Sequence, residues 1–89
     1  MEFQILHATF NSNYTIEVKF KDGLSGIVQI LNSRLRGVFN VLKDVNLFTR
    51  GYVDHGAVTW SIGEDDVLDL APDTMYEEIK KNDGIYIMK

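Results

Sequence analysis

From Tyr14 to Phe20 the chain alternates without a break: Tyr14, Ile16, Val18 and Phe20 are apolar or aromatic, and Thr15, Glu17 and Lys19 between them are polar. A period of two marks a strand with one face on a core and the other in water. Lys21-Asp22-Gly23 follows at once, and Asp-Gly between two apolar runs is the strongest short hairpin signal, leading into a third strand over Leu24–Leu31. Upstream, Phe3–Phe10 is rich in β-formers and ends at Asn11-Ser12-Asn13, side chains that favour turns and tolerate left-handed backbone. The chain through Leu31 therefore reads as a three-stranded antiparallel meander.

The period then changes. Val38, Phe39, Val41 and Leu42 lie at helical spacing and predict an apolar stripe on a short central helix after Gly37. Asp44 is placed to cap a further turn holding Val45, Leu47 and Phe48. Extended patterning returns at Arg50–Val53, Asp54-His55-Gly56 makes a turn, and Ala57–Ile62 is the second arm of another hairpin. Gly63-Glu64-Asp65-Asp66 reads as a solvated loop. Pro72 and Asp73 suit the start of a C-terminal helix, with Met75, Tyr76 and Ile79 as its buried stripe and Lys80 and Lys81 at its negative end. Asn82 or Gly84 supplies the stop, and the apolar Ile85-Tyr86-Ile87-Met88 forms either an edge strand or a tail that needs a partner.

The expected fold is α+β over residues 1–89 as one domain: an antiparallel sheet, built from the meander and the second hairpin, packed against the short central helix and the C-terminal helix. With 89 residues, 45% of them hydrophobic and 25% charged, the chain is long enough for one small core. No apolar run approaches the roughly 20 residues of a membrane helix, and Met1-Glu2-Phe3-Gln4 lacks the basic and apolar regions of an export signal, so a cytoplasmic protein is expected. The absence of Cys excludes disulfides, thiolate metal sites and a cysteine nucleophile, and it fits a reducing compartment.

The net charge of −4 is unevenly distributed: residues 1–50 carry +2 and residues 51–89 carry −6. Because both halves share one core, this is a bipolar surface. Direct nucleic-acid binding is not expected, since too few Lys and Arg are available to line one face against phosphates.

Chemistry-bearing constellations are sparse. His7 and His55 are the only imidazoles; Asp54 adjoins His55, but neighbours in a turn usually point apart. Glu64, Asp65, Asp66 and Asp69 offer oxygen ligands without the spacing of an EF-hand loop, so a metal-dependent hydrolase built on them is the weakest of three functional readings, and no cofactor is implied. No phosphate-binding glycine loop is present, and no Ser, His and Asp stand at the spacing of a hydrolase triad. Contact candidates are Arg34 and Arg36, flanking Leu35 in the loop after the third strand, and the rings of Phe39, Trp60 and Tyr76, with core packing the ordinary role of Trp60 and Phe39.

Four segments in order resemble the bacterial "domain of unknown function" family numbered 2442. They are Phe20-Lys21-Asp22-Gly23, Gly37–Asp44 with Leu47-Phe48, Val58-Thr59-Trp60, and Leu70–Glu77, and the likeness runs from about Ile5 to Glu78. The resemblance implies a small α+β fold and no catalytic residues. Some members precede a helix-turn-helix, for which no room is expected after Ile79. Others are described as the antitoxin half of a two-gene pair. The chain departs from the family at Ser61–Asp69, where members often have a shorter Trp-Pro-Asn-Gly turn. The reading that follows is a non-enzymatic protein-interaction module with a small protein partner, using the sheet's exposed side, an edge strand or the Arg34/Arg36 loop. The alternative is a small-ligand-binding domain with a cleft lined by Phe39, Trp60 and Tyr76. A homodimer through Ile85–Met88 is a further expectation.

Overall fold

The alternating segment becomes an inner strand of a four-stranded sheet in the computed structural model, which describes residues 3–89. Strands β1 (Ile5–Phe10), β2 (Thr15–Phe20) and β3 (Ser25–Ile30) form the antiparallel meander, with Ile16, Val18 and Phe20 turned into the core. The Asp22 carboxylate accepts the Leu24 N–H at 3.0 Å, and Gly23 takes φ +100°, closing the second turn. In the first turn the left-handed residue is Tyr14 (φ +63°) rather than an asparagine. Its ring lies 4.7 Å from that of Phe48 and its hydroxyl donates to the Lys43 carbonyl at 2.7 Å, contacts that offset an unfavourable backbone conformation.

Two three-ten segments, Asn32–Arg34 and Gly37–Lys43, then cross the end of this sheet as a strap. The sequence predicts one apolar stripe here, yet Leu42 alone is buried and Phe39 half-buried, while Val38 is 68% exposed and Val41 41%. The cause is the tighter winding: at three residues per turn, positions 39 and 42 share one face and 38 and 41 the next. Asp44 caps α1 (Val45–Phe48) by accepting the Asn46 N–H at 3.0 Å, as its position suggests.

The second hairpin forms a sheet of its own. β4 (Tyr52–Asp54), β5 (Ala57–Ser61) and β6 (Val67–Asp69) are antiparallel in that order, and β6 extends the expected hairpin by a strand. Helix α2 (Pro72–Lys81) starts at the proline, buries Met75 and Ile79, and carries Lys80 and Lys81 in its last turn. β7 (Ile85–Met88) then returns to the first sheet and pairs parallel to β3, making it mixed, with order β1-β2-β3-β7. One core joins both sheets, with Trp60, Phe20, Phe48, Ile16, Leu42, Met75 and Ile79 fully buried. The Trp60 indole N–H donates to the Phe48 carbonyl at 2.9 Å, which fixes α1 against β5. Gly26 on β3 is required by close approach: a Cβ there would lie 2.6 Å from both Ile79 Cγ2 and the Gly84 carbonyl oxygen. Among the described residues, no helix is long and apolar enough to cross a membrane.

Candidate functional site

The strap places the basic residues. The Arg34 amide bonds back to the Leu31 carbonyl and the Arg36 amide to the Arg34 carbonyl, both at 2.9 Å, so the two guanidinium groups leave a tightly turned backbone with Leu35 buried between them. The Arg34 guanidinium sits 5.2 Å from the centre of the Phe39 ring, a cation–π distance that holds it on the strap. Arg36 and Lys43 are exposed. Among the described residues, none of Arg34, Arg36 and Lys43 pairs with a carboxylate. Asn32–Lys43 therefore combines three cations that form no ion pair among the described residues with the outward-facing side chains of Val38 and Val41. Arginine is among the residues enriched at protein contact surfaces.

The five residues singled out in the sequence do not converge. Arg34 and Phe39 share a cleft of about 190 Å³ whose other walls include Asp69, Met75, Tyr86 and Met88. Trp60 is sealed in the core with no exposed surface. Tyr76 packs edge-on against Phe20 and Phe3 at ring distances of 5.1 and 4.9 Å, and its hydroxyl donates to Asp22. The aromatic-lined cleft expected from Phe39, Trp60 and Tyr76 is thus not one cavity: helical and strand periods place the rings on different sides of the core.

Elsewhere the ionisable groups stay dispersed. His55 and Asp54 do meet, at 3.1 Å, although neighbours in a turn were expected to diverge. The His55 side chain is 93% exposed, and that of Asp54 51%. Glu64, Asp65 and Asp66 lie in the exposed β5–β6 turn. Among the described residues, no three His, Asp or Glu side chains gather closely enough to hold a metal ion. Asp22 is the carboxylate set apart: the Tyr76 hydroxyl, and then the Leu24 N–H, hold its pKa below the usual aspartate value.

The apolar Ile85–Met88 segment, expected as an edge strand or a tail that needs a partner, contributes to a second surface. On the outer face of the first sheet, Ile27 and Ile85 are cross-strand neighbours, and Ile87 stands one pair further on, opposite Gln29. All three isoleucines are 42–49% exposed. Their signal was the Ile85-x-Ile87 alternation, too short to reveal which strand it would join. Compared with known proteins, the chain matches no family model, no curated protein and no solved structure.

Proposed function

We propose that this chain is a non-enzymatic protein-interaction module that docks a small protein partner on the Asn32–Lys43 strap. The observation that carries the reading is the outward placement of Val38 and Val41 beside Arg34, Arg36 and Lys43, cations that form no ion pair among the described residues. A complementary surface is acidic around an apolar centre: its carboxylates meet the arginines and its centre covers the valines. The resemblance to family 2442 supports a partner encoded beside this chain, as in the antitoxin-like pairs.

The test is affinity capture from native cytosol, scored by mass spectrometry, with wild-type chain, Val38→Asp and the Arg34→Glu/Arg36→Glu pair as baits. A stoichiometric small acidic partner held by the wild type and lost from both variants, at unchanged melting temperature, supports the strap. Equal retention by all three baits removes it.

A second reading, small-ligand binding, draws on the cleft under Phe39. At about 190 Å³ it falls below the roughly 300 Å³ at which ordinary ligand pockets begin, so only a very small compound fits. A rise in melting temperature with a metabolite, abolished by Phe39→Ala and Arg34→Ala, would favour it over the strap.

A further inference from the structure

The two edges of the four-stranded sheet are treated differently. On β1 the register slips between Ile5 and His7, a bulge, and the Ile5 N–H is taken by the Gly56 carbonyl at 2.9 Å from the β4–β5 turn. Bulges and covering loops are the devices that stop an edge from recruiting another strand. β7 has none of them: Ile85-Tyr86-Ile87-Met88 contains no proline and no charge, and its register against β3 is regular.

The hydrogen bonding of β7 shows which groups are left over. The Ile27 N–H donates to the Gly84 carbonyl at 2.8 Å and the Leu31 N–H to the Met88 carbonyl at 2.9 Å, so the even-numbered positions face β3. The peptide groups of Ile85 and Ile87 consequently face away from the sheet, and no partner for them occurs among the described residues. Beside them runs a groove of about 480 Å³ bounded by Glu78, Asn82, Ile85, Ile87 and Lys89.

We infer that this edge is filled by β7 of a second copy, running antiparallel across a two-fold axis, so that two four-stranded sheets become one of eight. Charge order along the edge selects this occupant and direction. Asp83 precedes β7 by two residues, Glu78 lines the groove near its start while meeting Lys81 at 3.8 Å, and Lys89 stands at its end. An antiparallel copy brings Lys89 of each chain towards Asp83 of the other, whereas a parallel copy stacks like charge on like. The free peptide groups fix the register as well. Pairing Ile85 with the partner's Ile87 satisfies the outward N–H and C=O groups in reciprocal bonds and puts Tyr86 on the axis. The same register brings Lys89 to the partner's left-handed Asp83–Gly84 turn, and it places the isoleucines of both chains side by side on the outer face. This interface uses the outer edge of β7, whereas the strap adjoins the other side of that strand through Tyr86 and Met88.

Light-scattering mass of the full chain at about 100 μM tests the inference, with sedimentation equilibrium giving the dissociation constant. The expected mass is twice the 10.2 kDa of one chain. Ile87→Lys, which puts a charge on the edge without touching the β3 ladder, is expected to weaken dimerisation at least 10-fold. Lys89→Asp and Asp83→Lys are exposed changes that leave the core alone, so they report even if Ile87→Lys fails to fold. Each alone should weaken the dimer, and together they should restore it. A wild-type monomer at 100 μM overturns the inference. So does a dimer indifferent to Ile87→Lys and to both charge changes, because it must use another surface.

Discussion

The Tyr76 hydroxyl donates to Asp22 Oδ2 at 2.5 Å, joining helix α2 to the β2–β3 turn across 54 positions of sequence. This bond is the main reason the Asp22 carboxyl ionises more readily than a free aspartate, with the Leu24 N–H contributing next. A carboxylate whose folded pKa is lowered stabilises the fold above its unfolded pKa, near 3.9, and that contribution fades as pH falls through the lowered folded value. Tyr76→Phe keeps the ring against Phe20 and removes the bond. Urea midpoints measured from pH 7 down to pH 2.5 should therefore fall less steeply below pH 4 in Tyr76→Phe than in the wild type. The Asp22 carboxyl, followed by carbon NMR, should titrate at higher pH in the variant. Parallel midpoint curves would show that the bond does not persist in solution.

The β4–β5 turn is built on His55 and Gly56 with φ values of +52° and +77°, the mirror-image turn that favours Asn-Gly. Among the described residues, the His55 side chain has a polar contact with exposed Asp54 alone, so little is lost by replacing it. His55→Asn is expected to raise stability by up to about 1 kcal/mol, the scale of the left-handed backbone cost that asparagine relieves. Chemical denaturation checks this, and a loss of stability would mean that the Asp54 contact outweighs the backbone term.

Much of this architecture is legible because local chemistry decides it. Strict alternation fixes the inward face of β2, Asp22-Gly23 fixes the hairpin, and Asp44 and Pro72 open helical segments where they stand. What escapes the sequence is set by distant partners. Ile85–Met88 is too short to specify direction, and it runs parallel to β3 only because α2 carries the chain back across the sheet. The apolar spacing of Val38–Leu42 suits a helix, but the three-ten winding that exposes Val38 and Val41 follows from how the strap must cross the core. For the candidate site, Arg34 and Arg36 stand out in the sequence as cations, but their lack of ion-pair partners becomes visible in three dimensions alone. Trp60 reads the same whether it lies in a core or at a contact until its indole is seen bonded to Phe48.

Gly26→Ala should destabilise the chain by about 1–3 kcal/mol, the cost of forcing a methyl group into a filled core. One of the two atoms it would meet, the Gly84 carbonyl oxygen, is backbone and cannot rotate away. Gly63 is the internal control. A Cβ there would have its nearest neighbour at 3.6 Å, and its φ is not left-handed, so Gly63→Ala should be neutral or stabilising by about 0.4–1 kcal/mol. Denaturation midpoints of the two variants should move apart. If Gly26→Ala were as stable as the wild type, α2 could not approach β3 as closely as the structure has it.

Trp60 is the only tryptophan, so intrinsic fluorescence reports on one site. Its indole is fully buried among Phe10 and Phe48, with ring distances of 5.6 Å to each, and its N–H is bonded inside the protein. The native emission should therefore be blue-shifted, resist acrylamide quenching, and shift red only on unfolding. Because the strap surface does not include it, binding of a partner at Val38, Arg34 and Arg36 should leave the emission maximum in place. A binding-induced shift would place the contact nearer to β5 than proposed. Trp60→Ala should cost about 3–5 kcal/mol, in the range for emptying an aromatic core position, and its effect on partner affinity at temperatures where it stays folded should be small. Strong selective loss of binding in a folded Trp60→Ala chain would return Trp60 to the contact set and displace the strap from it.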